Sequence, residues 1–279
     1  MDRLRNYAAA NRSNIVNVIY IVAALVVVYY LAMFYLTKDD LDVTLLERPM
    51  LTNSNQKAYK LYDASTLKYK ERRIKSGGEY TISAWMYINS WKGVYQPLFA
   101  VYDTSAGNVE NREAIMMVAL YPGEPKMHIR AGKINGATTP GTTVAQVSGA
   151  TALGGGSMNN MPQCDLVDID LQRWIFLTIS VNGRIMDVYL DGKLARSCIL
   201  PNSQNVAGEG TDQTIIISPS GLDASTMNGQ ISGVRFSAYA VAPDQIYAQY
   251  QSGPYTYVGF LDYLKSKLGF QIVYAGKTE

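Results

Sequence analysis

The order of apolar and polar residues divides the chain into two parts with different periods. Residues 15–36 are apolar almost throughout, and Asn17 is their one strongly polar member. A helix of this length, at about 1.5 Å per residue, crosses a hydrocarbon core of roughly 30 Å. We therefore expect a transmembrane helix. A buried helix of a soluble protein is rarely apolar on every side over such a length, and residues 37–40 offer no small-residue site for cleavage of a signal peptide.

Charges on either side of the span predict its orientation. Three arginines lie within residues 1–14, whereas Asp39, Asp40 and Asp42 follow the helix. By the positive-inside rule the short N-terminal tail stays in the cytoplasm and the large C-terminal part crosses the membrane. Residues 37–55 then form a stalk that leads into a globular domain.

After Gly78 the period changes from helical to alternating. Asn182-Gly183 and Asp191-Gly192 each join two alternating runs, and these dipeptides are strong signals for a hairpin with a type I′ turn. Many short strands with almost no helical pattern between them predict an antiparallel sandwich rather than a parallel sheet with crossover helices. We predict strands at 80–88, 97–102, 114–120, 126–129, 174–181, 184–190, 193–197, 214–218 and 229–239.

The composition removes several functional classes. Twenty-five Lys and Arg stand against 23 Asp and Glu, which excludes a polybasic nucleic-acid-binding protein. His128 is the one histidine, so a triad, a zinc site or a proton shuttle would have to use it; we expect a packed or surface ring instead. The 21 Tyr against 6 Phe suit strand faces and interfaces, because tyrosine joins an apolar ring to a polar hydroxyl.

Cys164 and Cys198 are the two cysteines and allow one disulfide. A bridge between residues 34 positions apart would stabilise the fold by roughly 3–4 kcal/mol through loop closure. In a domain that faces the cytosol they would instead be two buried thiols. The sequence leaves both alternatives open.

Three motifs in a fixed order resemble the concanavalin A-like, laminin-G-like jelly roll. They are Tyr80–Trp85, then Trp174 opening a strand-hairpin-strand that ends at Lys193, then Gly229–Tyr239 followed by Pro243–Ile246 and Tyr250. The resemblance covers about Gln56 to Pro254 and implies an all-β antiparallel jelly-roll sandwich. It also implies that the last strand is followed by a one-turn helix with a polar cap. Beyond the domain, residues 255–279 form a C-terminal amphipathic tail.

The resemblance and the strand pattern predict which tryptophans stabilise the domain. Trp85 and Trp174 lie in alternating strands at positions where the family buries an aromatic residue, so we expect both to anchor the core. Trp91 follows Asn89-Ser90 in a turn, so we expect it to be partly exposed.

The jelly roll hosts lectins, glycosidases and structural proteins, so fold alone does not assign an activity. The laminarinase-type hydrolases of the family carry a Glu-x-Asp-x-(x)-Glu strand, and the nearest segment here, 165–172, contains no glutamate. Asp168 and Asp170 would share one face of a strand, but they lack the reach of glutamates. We therefore expect no catalytic residues and no enzymatic activity.

Calcium is the one metal that the resemblance suggests, because relatives hold it with loop carboxylates and carbonyls. The candidate ligands are Asp103, Asn108 and Glu110 in one loop and Asp165 with Asp168 in another. Carboxylates in turns are more often caps than ligands. We expect no other cofactor.

Three segments suggest contacts with a partner. Residues 68–75 form a basic run that either binds anionic lipid headgroups or is a solvated face. Residues 137–161 form a long loop rich in Gly, Ala and Thr. In the tail, the apolar side chains at helical spacing form a stripe that packs on its own domain, on a partner or on a membrane. They are Phe260, Leu261, Leu264 and Leu268.

An N-terminal anchor, a stalk, one laminin-G-like domain and a Tyr-rich tail together are similar to membrane-associated proteins of large icosahedral DNA viruses. This resemblance implies a single-pass virion membrane protein, a minor capsid component that links a membrane to a protein shell. Its partners would be the lipid bilayer and neighbouring capsid proteins. The alternative is a membrane-tethered lectin, whose partners would be glycans.

Overall fold

Helix α1 runs from Arg12 to Leu36 and confirms the helix predicted over residues 15–36. The computed structural model describes residues 12–36, 41–52, 57–103, 113–132, 134, 163–206, 208–218 and 227–254. The chain divides into two units, Met1–Asp40 and Leu41–Glu279. The first unit contributes α1, and the second contains the strands.

The transmembrane prediction for residues 15–36 is not supported by the described helix. Within the residues that the structure describes, no helix is both long and apolar enough to cross a membrane.

The described residues of the second unit form twelve strands, one short 3-10 turn at Lys70–Arg72 and helix α2 at Pro243–Gln251. The strands are β1 (Asp42–Leu46), β2 (Met50–Leu51), β3 (Lys57–Tyr62), β4 (Glu79–Ser90), β5 (Gln96–Asp103), β6 (Glu113–Leu120), β7 (Met127–Ala131), β8 (Trp174–Asn182), β9 (Ile185–Leu190), β10 (Lys193–Ile199), β11 (Gln213–Ile217) and β12 (Asn228–Ser237).

The strands form two antiparallel sheets. One has seven strands in the order β1-β12-β4-β8-β9-β10, with β2 also paired to β12, and the other has five in the order β3-β11-β5-β6-β7. The nine predicted strands are all present, and the all-β antiparallel sandwich is confirmed. Its arrangement fits a jelly roll, because early and late strands of the unit pair with each other in both sheets, β1 with β12 and β3 with β11.

The segment predicted as a stalk, 37–55, belongs in large part to the sheet instead. Strands β1 and β2 pair with β12, and Leu46 and Met50 are buried against the core. The Thr52 hydroxyl donates a hydrogen bond to the Gly229 carbonyl at 3.0 Å. The sequence pattern missed these strands because each is short and lies between charged or turn-forming residues.

Two-residue loops connect β8 to β9 and β9 to β10, as the two glycine dipeptides predict. In the second loop, Asp191 and Gly192 both have positive φ, as a type I′ turn requires. The first loop differs: Asn182 pairs with Ile185, so the loop residues are Gly183 and Arg184, and only Gly183 has positive φ. That arrangement is typical of a type II′ turn, and it shifts the predicted turn by one residue.

The main core lies between the sheets, and Trp85 is not part of it. Trp85 is buried on the other side of the seven-stranded sheet, with its ring centroid 5.0 Å from that of Phe176 and 5.6 Å from that of Tyr250. Gly233 has a positive φ there, and a Cβ on it would lie 3.0 Å from the indole. Of the two tryptophans predicted as core anchors, Trp85 is thus buried in this second cluster, whereas Trp174 is only partly buried and packs against the same cluster.

Helix α2 covers this aromatic cluster. The predicted polar cap is absent, since the N-cap is Ala242 and Pro243 opens the helix. The preceding backbone is held by strand β4 instead: the Val241 N–H donates to the Thr81 hydroxyl at 2.9 Å, which itself donates to the Tyr239 carbonyl at 2.9 Å.

Cys164 and Cys198 form a disulfide, with their Cα atoms 5.9 Å apart. Residues 163–166 run beside β7, the last strand of the five-stranded sheet, while Cys198 lies on β10, the last strand of the seven-stranded sheet. The bridge therefore joins the two sheets at one side of the sandwich. At the opposite side, β1 and β3 are the two edge strands.

Candidate functional site

A groove of about 540 Å³ lies at the side of the sandwich opposite the disulfide. We call it the edge groove. Strands β1 and β3, which are edge strands of different sheets, form two of its walls, and the turn after β3 forms the third. The lining residues are Val43, Thr44, Leu45, Ala58, Tyr59, Lys60, Asp63, Lys68, Tyr69 and Arg72.

Asp63 organises the turn after β3. One carboxylate oxygen accepts hydrogen bonds from the backbone and hydroxyl of Ser65 and from the Thr66 N–H. The other accepts a bond from Lys60 Nζ at 2.8 Å. The hydrogen bonds from Lys60 and Ser65 hold the pKa of Asp63 well below its usual range, so this carboxylate stays ionised.

The same turn places two large side chains in solvent at the cost of backbone strain. Leu67 and Tyr69 have φ values of 54° and 62°, in the left-handed region that non-glycine residues rarely adopt. Leu67 is 61% exposed and Tyr69 is 40% exposed. Strain of this kind is concentrated at ligand-binding sites, because the surrounding structure must hold it in place.

Aromatic and cationic groups meet on the groove wall. The Arg72 guanidinium carbon lies 4.5 Å from the centroid of the Tyr69 ring, which is a cation–π arrangement. Tyr59, on β3, packs partly against the main core, and burial raises the pKa of its hydroxyl, which therefore stays protonated as a hydrogen-bond donor.

A second polar cluster lies on the face of the five-stranded sheet that points away from the main core. Arg130 forms two hydrogen bonds with the Asp165 carboxylate, which also accepts the Ile129 N–H at 3.2 Å. Lys126 Nζ is 3.4 Å from the same carboxylate. Burial disfavours the charged form of Asp165, yet the bonds from Arg130 outweigh it and lower the pKa below its ordinary value.

His128 lies beside this ion pair and is only 2% exposed. Its ring centroid lies 4.7 Å from that of Tyr121 and 5.6 Å from that of Tyr95, and the rings are tilted against each other. Neither ring nitrogen has a hydrogen-bond partner among the described residues. Burial, with the positive charge of Arg130, lowers the pKa of His128 to about 4, so the ring is neutral at physiological pH. The sequence prediction of a packed ring is confirmed.

The structure does not bring the predicted calcium ligands together within the part that it describes. Asp103 is buried at the end of β5, while Asn108 and Glu110 lie outside the described residues. Asp165 is engaged by Arg130, and Asp168 is exposed with a left-handed backbone. The described residues contain no group of three or more His, Cys, Asp or Glu side chains that could hold a metal ion.

The two aspartates weighed for hydrolysis do not share a strand face, because residues 167–173 are not a strand. Asp170 instead forms an exposed ion pair with Arg173 at 2.7 Å, and Arg173 also bonds to Asp191 at 2.7 Å.

Trp91 is partly buried, as predicted, and donates its indole N–H to the Tyr121 carbonyl at 2.7 Å.

The predicted contact segments lie outside the described residues. These are the loop at 137–161 and the tail with Phe260, Leu261, Leu264 and Leu268. The basic run at 68–75, in contrast, is described, and Lys68 and Arg72 from it line the edge groove. Tyr59 and Lys60 were not singled out from the sequence, because β3 had been missed.

Comparison with known proteins supports the fold. A family of laminin G type, described as the concanavalin A-like lectin/glucanases superfamily, matches residues 62–247. No curated protein matches the chain by sequence. A Trypanosoma rangeli sialidase in complex with a difluoro sugar acid is similar in structure, with 12% identity, a TM-score of 0.47 and coverage of 75% of this chain and 28% of that chain.

Two botulinum neurotoxin domains show similar values. The serotype D binding domain has 11% identity and a TM-score of 0.46, over 73% of this chain and 41% of that chain. The binding domain of neurotoxin DC in complex with SialylT has 14% identity and a TM-score of 0.39, over 63% and 35%. The chain thus spans less than half the length of each of these three structures.

The buried His128 predicts a pH dependence of stability. In the unfolded chain the ring takes up a proton near pH 6.5, whereas in the folded chain it does so only near pH 4. The unfolded state therefore binds more protons between these values, and the free energy of unfolding falls by about 2 kcal/mol between pH 8 and pH 5 from this residue.

Urea unfolding of wild type and His128→Phe at both pH values measures this contribution. Phenylalanine keeps the ring stack and cannot be protonated, so the variant should lose about 2 kcal/mol less than wild type on acidification. Equal losses in both proteins would show that His128 is not held neutral by the fold.

Proposed function

Because the chain belongs to the concanavalin A-like lectin/glucanases superfamily, we propose that its second unit is a carbohydrate-binding domain without catalytic activity. The observation that carries the proposal is the edge groove, which combines two tyrosines with several polar and charged side chains in about 540 Å³. Small-molecule sites in proteins commonly have volumes of about 300–1,000 Å³, so the groove suits a sugar unit or a short oligosaccharide.

The walls of the groove offer the two kinds of contact that a sugar needs. Tyr59 and Tyr69 supply aromatic surface for the C–H faces of a pyranose ring, together with hydroxyl groups. Among the described strands, β1 and β3 each have a partner on one side only, and the other side of an edge strand presents backbone N–H and C=O groups that can bond to sugar hydroxyls.

The carboxylate of the groove supports binding rather than hydrolysis. Retaining hydrolases use two carboxyl groups about 5 Å apart, one of them a proton donor. Asp63 is the one carboxylate among the lining residues, and both of its oxygens are engaged by Lys60, Ser65 and Thr66. A carboxylate with a pKa held this low cannot act as a general acid near neutral pH.

Helix α1 supports a second part of the proposal, which is that the protein associates with a lipid bilayer. Every described side chain of α1, from 16 to 30, is exposed, and all except Asn17 are apolar or tyrosine. A contiguous apolar surface of this kind is covered by lipid or by protein in most molecules that carry one. Lipid fits better here, because the apolar residues surround the helix instead of forming one stripe.

The more specific interpretation, a minor capsid protein that links a virion membrane to its shell, stays a prediction. It depends on contacts of the loop at 137–161 and of the tail beyond residue 254, which are outside the described residues. The edge groove favours the glycan-binding alternative, because its lining combines aromatic and polar side chains, as a sugar site requires.

Substitution of Tyr69 tests the proposed binding site. The full-length protein should bind members of an oligosaccharide array, and Tyr69→Asn should weaken that binding by about tenfold or more through loss of the aromatic surface. Asparagine adopts left-handed backbone conformations more readily than tyrosine, so the free energy of unfolding should be unchanged or higher.

Tyr247→Asn is the matched control for Tyr69→Asn, because Tyr247 is 43% exposed and lies on α2, away from the groove residues. It should bind like wild type. The proposed function fails if wild type binds no oligosaccharide, or if Tyr69→Asn and Tyr247→Asn bind equally well.

Extraction of membranes with alkaline carbonate tests the association of α1 with lipid. The full-length chain should stay in the membrane pellet, and a variant with Val22→Lys and Val26→Lys should move to the supernatant, because charged groups in a bilayer core each cost about 2.5–3.5 kcal/mol. Release of the wild-type chain by carbonate would contradict this part of the proposal.

A further inference from the structure

We infer that residues 163–169 form an acid-sensitive strap, which closes the edge of the five-stranded sheet while His128 is neutral and opens when that ring is protonated. The strap lies beside β7, at the side of the sandwich opposite the edge groove, so the inference is independent of the proposed function. It depends on three features of the structure: the bonds that hold the strap to β7, the carboxylate of Asp165, and the surroundings of His128.

The strap extends the five-stranded sheet beyond β7 without forming a continuous strand. The Met127 N–H donates to the Leu166 carbonyl at 2.8 Å, and the Leu166 N–H donates back to the Met127 carbonyl at 3.0 Å. The Cys164 N–H donates to the Ile129 carbonyl at 3.1 Å. Because isolated bridges replace a full ladder here, the strap can separate from β7 more easily than two strands in the middle of a sheet.

Asp165 fastens the middle of the strap to the outer face of the sheet. Its carboxylate accepts hydrogen bonds from Arg130 on β7 and from the Ile129 N–H, and Lys126 Nζ lies 3.4 Å away. At the other side of the strap, the disulfide between Cys164 and β10 is covalent. An open strap would therefore leave β7 but stay attached to the seven-stranded sheet.

His128 lies directly against this fastening. It is two residues from Arg130 on the same face of β7, and its Nε2 is 3.6 Å from Asp165 Oδ2. The ring is 2% exposed, and neither nitrogen has a hydrogen-bond partner among the described residues. The titratable and charged groups that face it from the described elements are Tyr95, Tyr121, Lys126, Arg130 and Asp165.

A proton on His128 would add a third cation to a cluster that contains one carboxylate. The imidazolium would be attracted to Asp165 but repelled by Arg130 and Lys126, and it would have lost its contact with water. Burial, together with the charge of Arg130, accordingly lowers the pKa of His128 from 6.5 to about 4. Opening of the strap admits water to the ring and removes most of this penalty, so protonation favours the open form.

The pH range of the response follows from these values. Above pH 6.5 the ring is neutral in both forms, and the opening equilibrium does not depend on it. As the pH falls from 6.5 towards 4, the open form binds more protons than the closed form, so the closed form loses its advantage. Between pH 7 and pH 4.5 the ratio of open to closed strap should rise about 50-fold.

Hydrogen–deuterium exchange of the full-length protein at pH 7 and pH 4.5 tests the inference. His128→Phe is the reference, because it cannot be protonated, and comparison at the same pH removes the effect of acid on intrinsic exchange. For the Met127, Cys164 and Leu166 amides, the ratio of wild-type to variant rates should be about 50 times larger at pH 4.5 than at pH 7. His128→Gln, which is also neutral at both pH values, is a second reference if the phenylalanine variant does not fold.

The same experiment shows whether the opening is local. Amides of β4 and β8, in the middle of the seven-stranded sheet, exchange only when the whole domain unfolds, so they should be more strongly protected than the strap amides at both pH values.

Two lysine variants test the role of charge, each compared with the corresponding double variant that also carries His128→Phe. Lys126→Met removes a cation that faces His128, so the change in the ratio between the two pH values should be smaller than in wild type. Lys57→Met is the matched control, since it removes an exposed lysine from β3 at the far edge of the same sheet. It should leave the change as in wild type.

Three results would overturn the inference. One is an equal ratio of wild-type to His128→Phe rates at pH 7 and pH 4.5. Another is equal protection of the strap amides and those of β4 and β8, because acid would then unfold the whole domain instead of opening the strap. The third is an equal response of Lys126→Met and Lys57→Met. The oligosaccharide array measures the proposed function separately, so failure of one does not imply failure of the other.

Discussion

Pairing between the first and last strands of the domain determines the rest of its structure. Strands β1 and β2 pair with β12 in one sheet, and β3 pairs with β11 in the other. Hydrogen bonds between side chains reinforce this pairing; the Ser237 hydroxyl, for example, donates to the Asp42 carboxylate at 3.1 Å. Asp42 and Ser237 are 195 residues apart in sequence. The chain therefore loses much conformational entropy when the paired strands meet. Burial of the core between the sheets must offset that loss.

This pairing also decides which side of the sandwich can bind a ligand. The first strand of each sheet becomes an edge strand on the same side, and the turn from β3 to β4 lies between them. At the other side, the Cys164–Cys198 disulfide joins the two sheets. The faces are occupied as well: α2 covers the aromatic cluster around Trp85, and the Arg130–Asp165 pair lies with stacked rings on the face of the five-stranded sheet. In the edge groove, by contrast, polar, aromatic and charged groups line one concave surface.

Local sequence signals predicted most of the strands, and the reason is physical. Alternation of apolar and polar residues follows from the strand backbone itself, and Asp191-Gly192 forms a type I′ turn because both residues tolerate positive φ. The position of Trp85 could not be predicted in the same way, because alternation separates two faces without saying which one is covered by a helix. Strand β5 is buried on both faces, so its residues do not alternate between apolar and polar. Its pattern therefore did not show that the outer face of this sheet is also covered, by the cluster that includes His128 on β7.

The candidate site was accessible to sequence analysis only in part. The basic run at 68–75 stood out, but its role depends on Lys60, which neutralises Asp63, and on the left-handed backbone at Leu67 and Tyr69. Neither feature has a signature in the sequence, since one is a contact with a residue of a missed strand and the other is a backbone conformation unusual for leucine and tyrosine. Long-range pairing brought β1 to the same groove, and no local pattern shows that.

Hydrogen–deuterium exchange of the full-length chain, with and without an oligosaccharide that it binds on the array, measures the central claim directly. If the edge groove is the binding site, the ligand should slow exchange at residues 43–45 and 58–72, and it should leave α2 and the hairpins between β8 and β10 unchanged. Protection confined to other parts of the chain, with unchanged exchange at 43–45 and 58–72, would contradict the account.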